Sequence, residues 1–185
     1  MIQIKMRIQK DDTVAVVVDI QERLLPHIFH WEQTLQNCLK LIDGLQVLSV
    51  PMIVTQQYTK GLGNTDPSIV NKITGFSHIE KTTFSCCGES AFKEKISSLG
   101  KKYIILCGIE THVCVMQTCI DLLEEGYIPF VVEDCVSSRK PNDKEIAIER
   151  MRQEGARITT LESILFELTQ ISGTETFKLI SKIVK

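Results

Sequence analysis

The sequence predicts a three-layer α/β fold, in which helices cover both faces of a parallel β-sheet. Short β-branched runs alternate along the chain with amphipathic stretches of helical period. The runs are apolar almost throughout, which is typical of strands that are covered on both faces. Strands that alternate with helices pair in parallel through right-handed crossovers, and this indicates a sandwich of three layers.

Six runs predict six strands. The first, residues 13–19, is apolar up to Asp19, which ends it. The others, in chain order, are residues 51–56, 77–80, 102–108, 127–133 and 156–159. The runs at 77–80 and 156–159 are the shorter candidates.

Helical periods fill much of the chain between these runs. The first places Leu35, Leu39, Ile42, Leu45 and Leu48 on one face. The second spans residues 115–122 and ends before Gly126. The third follows Pro141 and carries Ile146, Ile148 and Met151. The last two span residues 161–168 and 174–184. Residues 57–67 (QYTKGLGNTDP) are the one long irregular stretch, and loops after a strand's carboxyl end bind ligands in such folds.

Length and charge limit the domain organisation and the partners. The 185 residues contain no repeat and no interdomain linker, so we expect one domain, residues 1–185, with a C-terminal helix at 174–184. Lys and Arg number 21 against 23 Asp and Glu, a net charge of −2. This balance favours neither nucleic acid nor an anionic membrane as a partner, and no apolar run approaches the ~20 residues of a membrane span. We expect a small-molecule substrate.

The cysteines indicate a reducing compartment. They number seven, at positions 38, 86, 87, 107, 114, 119 and 135, and form no Cys-x-x-Cys pair. The N-terminal segment alternates apolar and basic residues and does not resemble a signal peptide. We therefore expect free thiols in a cytoplasmic protein. Cys86, Cys87 and Cys119 are predicted to be small, inert, buried side chains.

Three polar residues stand at the carboxyl ends of predicted strands or just beyond them. Asp19 ends the first run, Lys81 follows the run at 77–80, and Cys114 lies beyond Gly108 and opens the next helix. The carboxyl ends of parallel strands meet at one edge of the sheet, where ligands bind. A helix N-terminus and a nearby lysine favour a thiolate, and an aspartate can accept the thiol proton. The three residues therefore supply the nucleophile, the base and the positive charge of a nucleophilic set.

Each of these residues also has an ordinary structural interpretation. Asp19 could cap a turn, Lys81 could be solvated, and Cys114 could be a small core residue. The pattern alone leaves an α/β hydrolase or transferase whose chemistry is open.

Several segments carry a family resemblance. Residues 17–21 (VVDIQ), 80–85 (EKTTFS) and 108–115 (GIETHVCV) resemble the signature segments of the isochorismatase-like cysteine hydrolases, among them nicotinamidases and N-carbamoylsarcosine amidohydrolases. Residues 132–139 (VEDCVSSR) resemble the family segment after the fifth strand. The resemblance covers residues 13–168 in the family's order. Residues 55–63 (TQQYTKGLG) look closest to the isochorismatase-domain-containing branch, which has no settled substrate.

The resemblance implies a six-stranded parallel sheet of order 3-2-1-4-5-6, with strands 1 and 4 flanking the topological switch point. It implies a catalytic triad with Asp19 as base, Lys81 as electrostatic partner and Cys114 as nucleophile. It also implies that the backbone N–H groups of Glu110 and Cys114 hold the oxyanion, next to a cis peptide bond between Ile109 and Glu110.

Departures from the subfamilies narrow the chemistry. Nicotinamidases resemble this chain but bind a divalent metal through an Asp-x-His pair and a further histidine. At the corresponding position, residues 56–59 here are QQYT. The histidines at 27, 30, 78 and 112 lie in separate segments. We expect no metal, and no dinucleotide cofactor since no Gly-x-Gly-x-x-Gly follows the first strand. For His112, an ordinary loop position is favoured over a catalytic role. Gln21, Tyr58 and Phe84 are candidates for a small substrate pocket.

The function we expect is that of a metal-independent hydrolase, without cofactor, of a small amide or related carbon–nitrogen substrate. Isochorismate-cleaving members tend to lack the cysteine, so Cys114 indicates the branch that forms a thioester intermediate. One alternative is a non-catalytic interaction protein that retains the hydrolase fold; a nicotinamidase is less favoured. Oligomers are usual in the resembling family, and we expect a homo-oligomer, in which the C-terminal helix could dock on its own domain or on a second subunit.

Overall fold

The computed structural model describes residues 7–185, and these contain a six-stranded parallel sheet. Its order, β3-β2-β1-β4-β5-β6, confirms the predicted fold class. The strands are β1 (Thr13–Val18), β2 (Met52–Gln57), β3 (Ile79–Lys81), β4 (Tyr103–Ile109), β5 (Ile128–Ser137) and β6 (Arg157–Thr159). The prediction of no signal peptide concerns a segment whose residues 1–6 lie outside the described residues.

Eight α-helices connect and follow the strands within the described residues. They are α1 (Trp31–Val47), α2 (Thr59–Leu62), α3 (Pro67–Lys72), α4 (Ser90–Leu99), α5 (Met116–Glu124), α6 (Pro141–Gln153), α7 (Leu161–Thr169) and α8 (Glu175–Val184). A π-helical turn, Thr111–Val115, precedes α5. Across residues 7–185, no helix combines the length and the apolar character that a membrane crossing requires.

Three of these helices, α2, α3 and α4, were not predicted; α3 begins at Pro67, where the stretch predicted to be irregular ends. The stretch predicted to be irregular, residues 57–67, includes the single turn of α2. Helix α4 was missed because it buries only Phe92 and Ile96, one turn apart, so its apolar face is narrow.

Both faces of the sheet are covered, as β1 shows. Ala15 and Val17 belong to a hydrophobic core that includes residues of α1, α7 and α8. Val14, Val16 and Val18 belong to a second core that includes residues of α4, α5 and α6. Because successive side chains of a strand point to opposite faces, a strand between two cores is apolar at every position.

The central strands approach closely at their carboxyl ends. Val18 of β1 pairs with Gly108 of β4, and the chain turns directly afterwards at Asp19, whose φ is +50°. A Cβ on Gly108 would lie 2.1 Å from the Val18 carbonyl oxygen, and the φ of Gly108 is +121°. Glycine therefore lets β1 and β4 pair up to the edge of the sheet.

Strand β5 is longer than predicted because it makes an excursion beside β4. Leu106 pairs with Val131 and Gly108 pairs with Val136, so β5 advances five residues while β4 advances two. The excursion includes Asp134, whose carboxylate accepts a hydrogen bond from the Leu161 N–H at 2.8 Å. Beyond it, β5 rejoins β4 at the carboxyl edge.

The C-terminal helix packs on its own chain. Ile180 of α8 is fully buried in the core that contains residues of α1 and α7. The ring of Phe177 lies 6.0 Å from that of Phe166 in α7, measured between centroids. Of the two docking modes considered for this helix, the structure shows the intramolecular one.

Candidate active site

A buried ion pair lies at the carboxyl edge of the sheet. Asp19 follows β1, Lys81 ends β3, and the Lys81 Nζ lies 2.7 Å from the Asp19 Oδ2. Both side chains are almost inaccessible to solvent. Burial raises the pKa of Asp19, and the Lys81 ammonium opposes this only in part. Burial is the largest single effect on Lys81 and lowers its pKa, but Asp19, Cys114 and Cys86 together outweigh it, so this pKa is raised overall.

Strand β2, which lies between β1 and β3, supplies two polar side chains that hold this pair. The Thr55 hydroxyl donates to the Asp19 Oδ1 at 2.8 Å. The Gln57 Oε1 accepts a hydrogen bond from the Lys81 Nζ at 2.5 Å. The ammonium also donates to the carbonyl oxygens of Thr83 and Phe84, at 3.2 and 3.0 Å. A charged side chain with this many partners has little freedom to move.

The Cys114 thiol lies beside the ion pair. Cys114 is 6% exposed and lies in the π-helical turn, so the predicted position at the start of the helix shifts: α5 begins at Met116. Burial and the negative charge of Asp19 raise the pKa of the thiol to about 12, against the lowering effect of Lys81. The resting site therefore holds a protonated thiol next to a carboxylate that can accept its proton.

The residues between β4 and Cys114 form the second part of the site. The peptide bond between Ile109 and Glu110 is cis, at the position that the resemblance implies. The Glu110 carbonyl accepts hydrogen bonds from the N–H groups of Val113 and Val115, both at 3.2 Å. These bonds fold the backbone around Cys114 into a compact turn.

The candidate pocket residues lie in different environments. Gln21 is fully buried, and its amide bonds to the backbone of Gln57 and Gly63. Tyr58 and Phe84 are 51% and 56% exposed. A contact between substrate and any of these three side chains stays a prediction.

Sequence reasoning missed three residues of the site: Thr55, Gln57 and Cys86. The Cys86 thiol, predicted to be inert, donates to the Thr55 hydroxyl at 3.7 Å and so adjoins the partner of Asp19. Burial raises the pKa of this thiol to about 11. One signal for Thr55 and Gln57 was available: polar residues end an otherwise apolar strand next to β1.

The position that holds metal in nicotinamidases has a structural role here. The Gln56 Oε1 accepts hydrogen bonds from the backbone N–H and the hydroxyl of Thr65, and its Nε2 donates to the Thr59 hydroxyl. These bonds fix the loop after β2. Among residues 7–185, no group of three or more His, Cys, Asp and Glu side chains is arranged to hold a metal ion.

The fold and the site together define an α/β protein that carries a buried carboxylate, ammonium and thiol at the switch point of a parallel sheet. Residues 13–163 match the model of the isochorismatase domain. The chain belongs to the isochorismatase family of hydrolases. It is 39% identical over 183 residues to isochorismatase family protein 1B of Dictyostelium discoideum, an alignment that covers 97% of this chain and 89% of that protein.

Two solved structures show the same fold at high similarity. One, described as the MAR1 ribonuclease from Caenorhabditis elegans, has a TM-score of 0.90 and 37% identity, covering 96% of this chain and 92% of the other. The second is YcaC from Pseudomonas aeruginosa with hexane-2,5-diol and covalent acrylamide, with a TM-score of 0.90 and 27% identity, covering 96% and 91%.

Removing the ammonium should destabilise the protein. In Lys81→Met the Asp19 carboxylate would remain buried without its counter-charge, which typically costs about 3–5 kcal/mol. Urea unfolding followed by circular dichroism measures this loss. The double variant Asp19→Asn/Lys81→Met removes both charges and should regain much of the stability.

The matched control for this variant is Lys93→Met, which breaks an exposed ion pair with Glu125. Exposed pairs contribute little, so its unfolding midpoint should stay close to that of the wild type. If the unfolding midpoint of Lys81→Met stayed as close to the wild type as that of the control, Lys81 would not be needed to stabilise the buried Asp19 carboxylate.

Proposed function

We propose that this chain is a metal-independent cysteine hydrolase of a small amide or a related carbon–nitrogen compound. The observation that carries the proposal is the convergence of Asp19, Lys81 and Cys114, which come from three separate segments, at one buried point. The sulfur of Cys114 is the nucleophile, Asp19 is an adjacent base and Lys81 is a fixed positive charge; together these are the components of covalent catalysis.

In the first half of the reaction Cys114 becomes acylated. Asp19 takes the thiol proton while the sulfur attacks the carbonyl carbon of the substrate. The Lys81 ammonium compensates the negative charge as it moves from Asp19 to the sulfur. The backbone N–H groups of Glu110 and Cys114 hold the oxyanion of the tetrahedral intermediate. Asp19 returns the proton to the nitrogen, the carbon–nitrogen bond breaks, and the amine leaves.

In the second half water releases the product. Asp19, now a carboxylate again, takes a proton from a water molecule that attacks the thioester carbon. The carbon–sulfur bond breaks, the thiol regains its proton, and the free acid leaves. No oxidant, reductant or metal is required at any step.

The raised pKa of Asp19 supports its assignment as the base. Proton transfer is efficient when the pKa of the base approaches the working pH, and burial moves this carboxyl in that direction. The covalent acrylamide in the YcaC structure also supports a nucleophile in this fold, because acrylamide is an electrophile with which thiolates react readily.

A hydrolysis screen with the purified protein tests the proposal. The panel contains simple amides, carbamoyl compounds, nicotinamide and a single-stranded RNA, the last because a similar structure is described as a ribonuclease. We expect ammonia or amine release from at least one amide or carbamoyl compound. Cys114→Ala is the negative control, and Cys119→Ala, which removes another buried thiol, is the matched variant that should keep activity.

Three results would reject the proposal. These are an absence of turnover across the amide and carbamoyl panel, equal turnover by Cys114→Ala, and cleavage of RNA alone. Hydrolysis of nicotinamide only in the presence of added divalent metal would instead favour the nicotinamidase alternative. Absence of any reaction would favour an interaction protein that retains the fold.

A further inference from the structure

Two residues just beyond β5, Ser138 and Arg139, contact the loop that carries the proposed oxyanion donors. The Arg139 Nε donates to the Glu110 Oε1 at 2.5 Å, and its Nη2 donates to the Oε2 at 3.4 Å. The Ser138 hydroxyl accepts from the His112 backbone N–H at 3.4 Å and lies 2.9 Å from the His112 Nδ1. The loop between Glu110 and Cys114 is therefore tied to the end of β5 at two points.

The end of β5 is itself firmly held. The Ser138 carbonyl accepts a hydrogen bond from the Phe29 N–H at 3.0 Å, and the Ser137 hydroxyl donates to the Phe29 carbonyl at 2.7 Å. Ser138 is fully buried. Since β5 rejoins β4 after its excursion, with Ser137 opposite Ile109, residues 137–139 form a fixed support beside the oxyanion loop.

The Glu110 carboxylate makes this support important for charge as well as for position. Its side chain is 9% exposed, and the guanidinium of Arg139 is its ion-pair partner. The backbone N–H of the same residue is a proposed oxyanion donor. Without Arg139, whose own side chain is 60% exposed, the nearly buried Glu110 carboxylate would lose its ion-pair partner, and the backbone donor would lose an anchor.

We propose that Arg139 is a positioning residue for acyl transfer. Its forked contact with Glu110 holds the oxyanion donor in place and neutralises the Glu110 carboxylate. It does not contact the thiol and does not ionise it. This inference rests on the proposed function, since it assumes that Cys114 attacks a carbonyl group.

Two reactions of Cys114 distinguish an effect on the oxyanion donor from an effect on the ionisation of the thiol. Iodoacetamide alkylates the sulfur by displacement: the thiol loses its proton to solvent, a sulfur–carbon bond forms as the carbon–iodine bond breaks, iodide leaves, and no oxyanion develops. p-Nitrophenyl acetate acylates the sulfur through a tetrahedral oxyanion: a sulfur–carbon bond forms, Asp19 takes the thiol proton, and p-nitrophenolate leaves as the carbon–oxygen bond breaks. Only the second reaction requires the oxyanion donors.

The experiment measures both rates on intact full-length protein by mass spectrometry. In Arg139→Gln we expect acylation of Cys114 to fall up to about 100-fold, the effect that a misplaced donor can have, and alkylation to stay unchanged. Arg139→Lys keeps the positive charge but loses the two-point contact with Glu110, so its acylation rate should lie between those of the wild type and Arg139→Gln. The matched control is Arg152→Gln, which breaks an exposed ion pair with Glu149 on α6 and should alter neither rate.

Glu110→Gln provides a second variant if Arg139→Gln does not fold. It removes the same ion pair from the other side, and acylation should again fall more than alkylation. Equal acylation by wild type and both variants would overturn the inference, as would a parallel fall of both rates. A wild-type protein that is alkylated but never acylated at Cys114 would overturn the proposed function, and the inference with it.

Discussion

The Asp19→Asn variant is expected to lose about 10²–10⁴-fold in turnover, the usual contribution of a general base, while its Cys114 thiol becomes easier to ionise. The first effect follows from the loss of the proton acceptor. Asparagine is the informative replacement because it has nearly the same shape and tolerates the left-handed backbone at this position, where φ is +50°. The fold, followed by circular dichroism, should remain intact, although the protein loses stability because the buried Lys81 ammonium loses its counter-charge.

The second effect has a definite sign. The charge of Asp19 raises the pKa of the Cys114 thiol, and the charge of Lys81 lowers it. Removing only the aspartate charge leaves the ammonium to act alone, so the thiol pKa falls from its value of about 12. Each unit of that fall increases the thiolate fraction at pH 8, and hence the alkylation rate with iodoacetamide, about tenfold.

The measurement is therefore a pair of assays on one protein: hydrolysis of the substrate found in the screen, and alkylation of Cys114 as a function of pH. Cys114→Ser should lack both activities with its fold intact. Asp43→Asn breaks a half-exposed ion pair with Lys72 and serves as the matched control. Near-wild-type turnover by Asp19→Asn would contradict the mechanism, and slower alkylation would contradict the electrostatic reading of the site.

Gly108→Ala is expected to cause the largest loss of stability in this protein, above about 4 kcal/mol, because the new methyl group meets backbone. Its Cβ would lie 2.1 Å from the Val18 carbonyl oxygen and 2.7 Å from the Val18 nitrogen. Neither atom can move without separating β1 from β4. The φ of +121° adds strain for any residue with a side chain.

Gly100→Ala is the matched control for this substitution. Gly100 also has a positive φ, +59°, but a Cβ there would meet no atom of residues 7–185 within 4 Å. Its cost should be only about 1 kcal/mol, that of the backbone conformation alone. Chemical unfolding of both variants, or the yield of soluble protein where Gly108→Ala does not accumulate, compares them. Equal losses would show that the two central strands can separate at this edge without penalty.

Much of the fold could be predicted because buried parallel strands have a distinctive sequence. Every residue of β1 is apolar except Thr13, and the strand boundaries agree to within a residue or two for five of the six strands. The exception is β5. Glu133 and Asp134 interrupt its apolar run, and the prediction ended there, whereas in the structure these residues belong to the excursion before the strand rejoins β4.

A site residue could be predicted only where its position at or just beyond the end of a predicted strand indicated its role. Asp19, Lys81 and Cys114 were placed at the edge of the sheet in this way, and the structure brings them together. The contacts of Thr55 and Gln57, and the proposed role of Arg139 just beyond β5, depend on which residues of neighbouring segments lie opposite one another. The polar end of β2 marks Thr55 and Gln57 in the sequence, but which side chain each of them meets follows from the packing of the whole sheet.

The short third strand has a consequence for how this protein would fail. Lys81 is the last of three residues in β3, which lies at the edge of the sheet formed by residues 7–185 and pairs there with β2. Edge segments with few partners open at a lower free energy than central strands do. Fraying of this rim would have to break the hydrogen bonds of the Lys81 ammonium, and it would then carry the ammonium away from Asp19 while the middle of the sheet stayed folded. The Asp19–Lys81 site would then be lost when β3 opens, at a lower temperature than the melting temperature of the whole molecule.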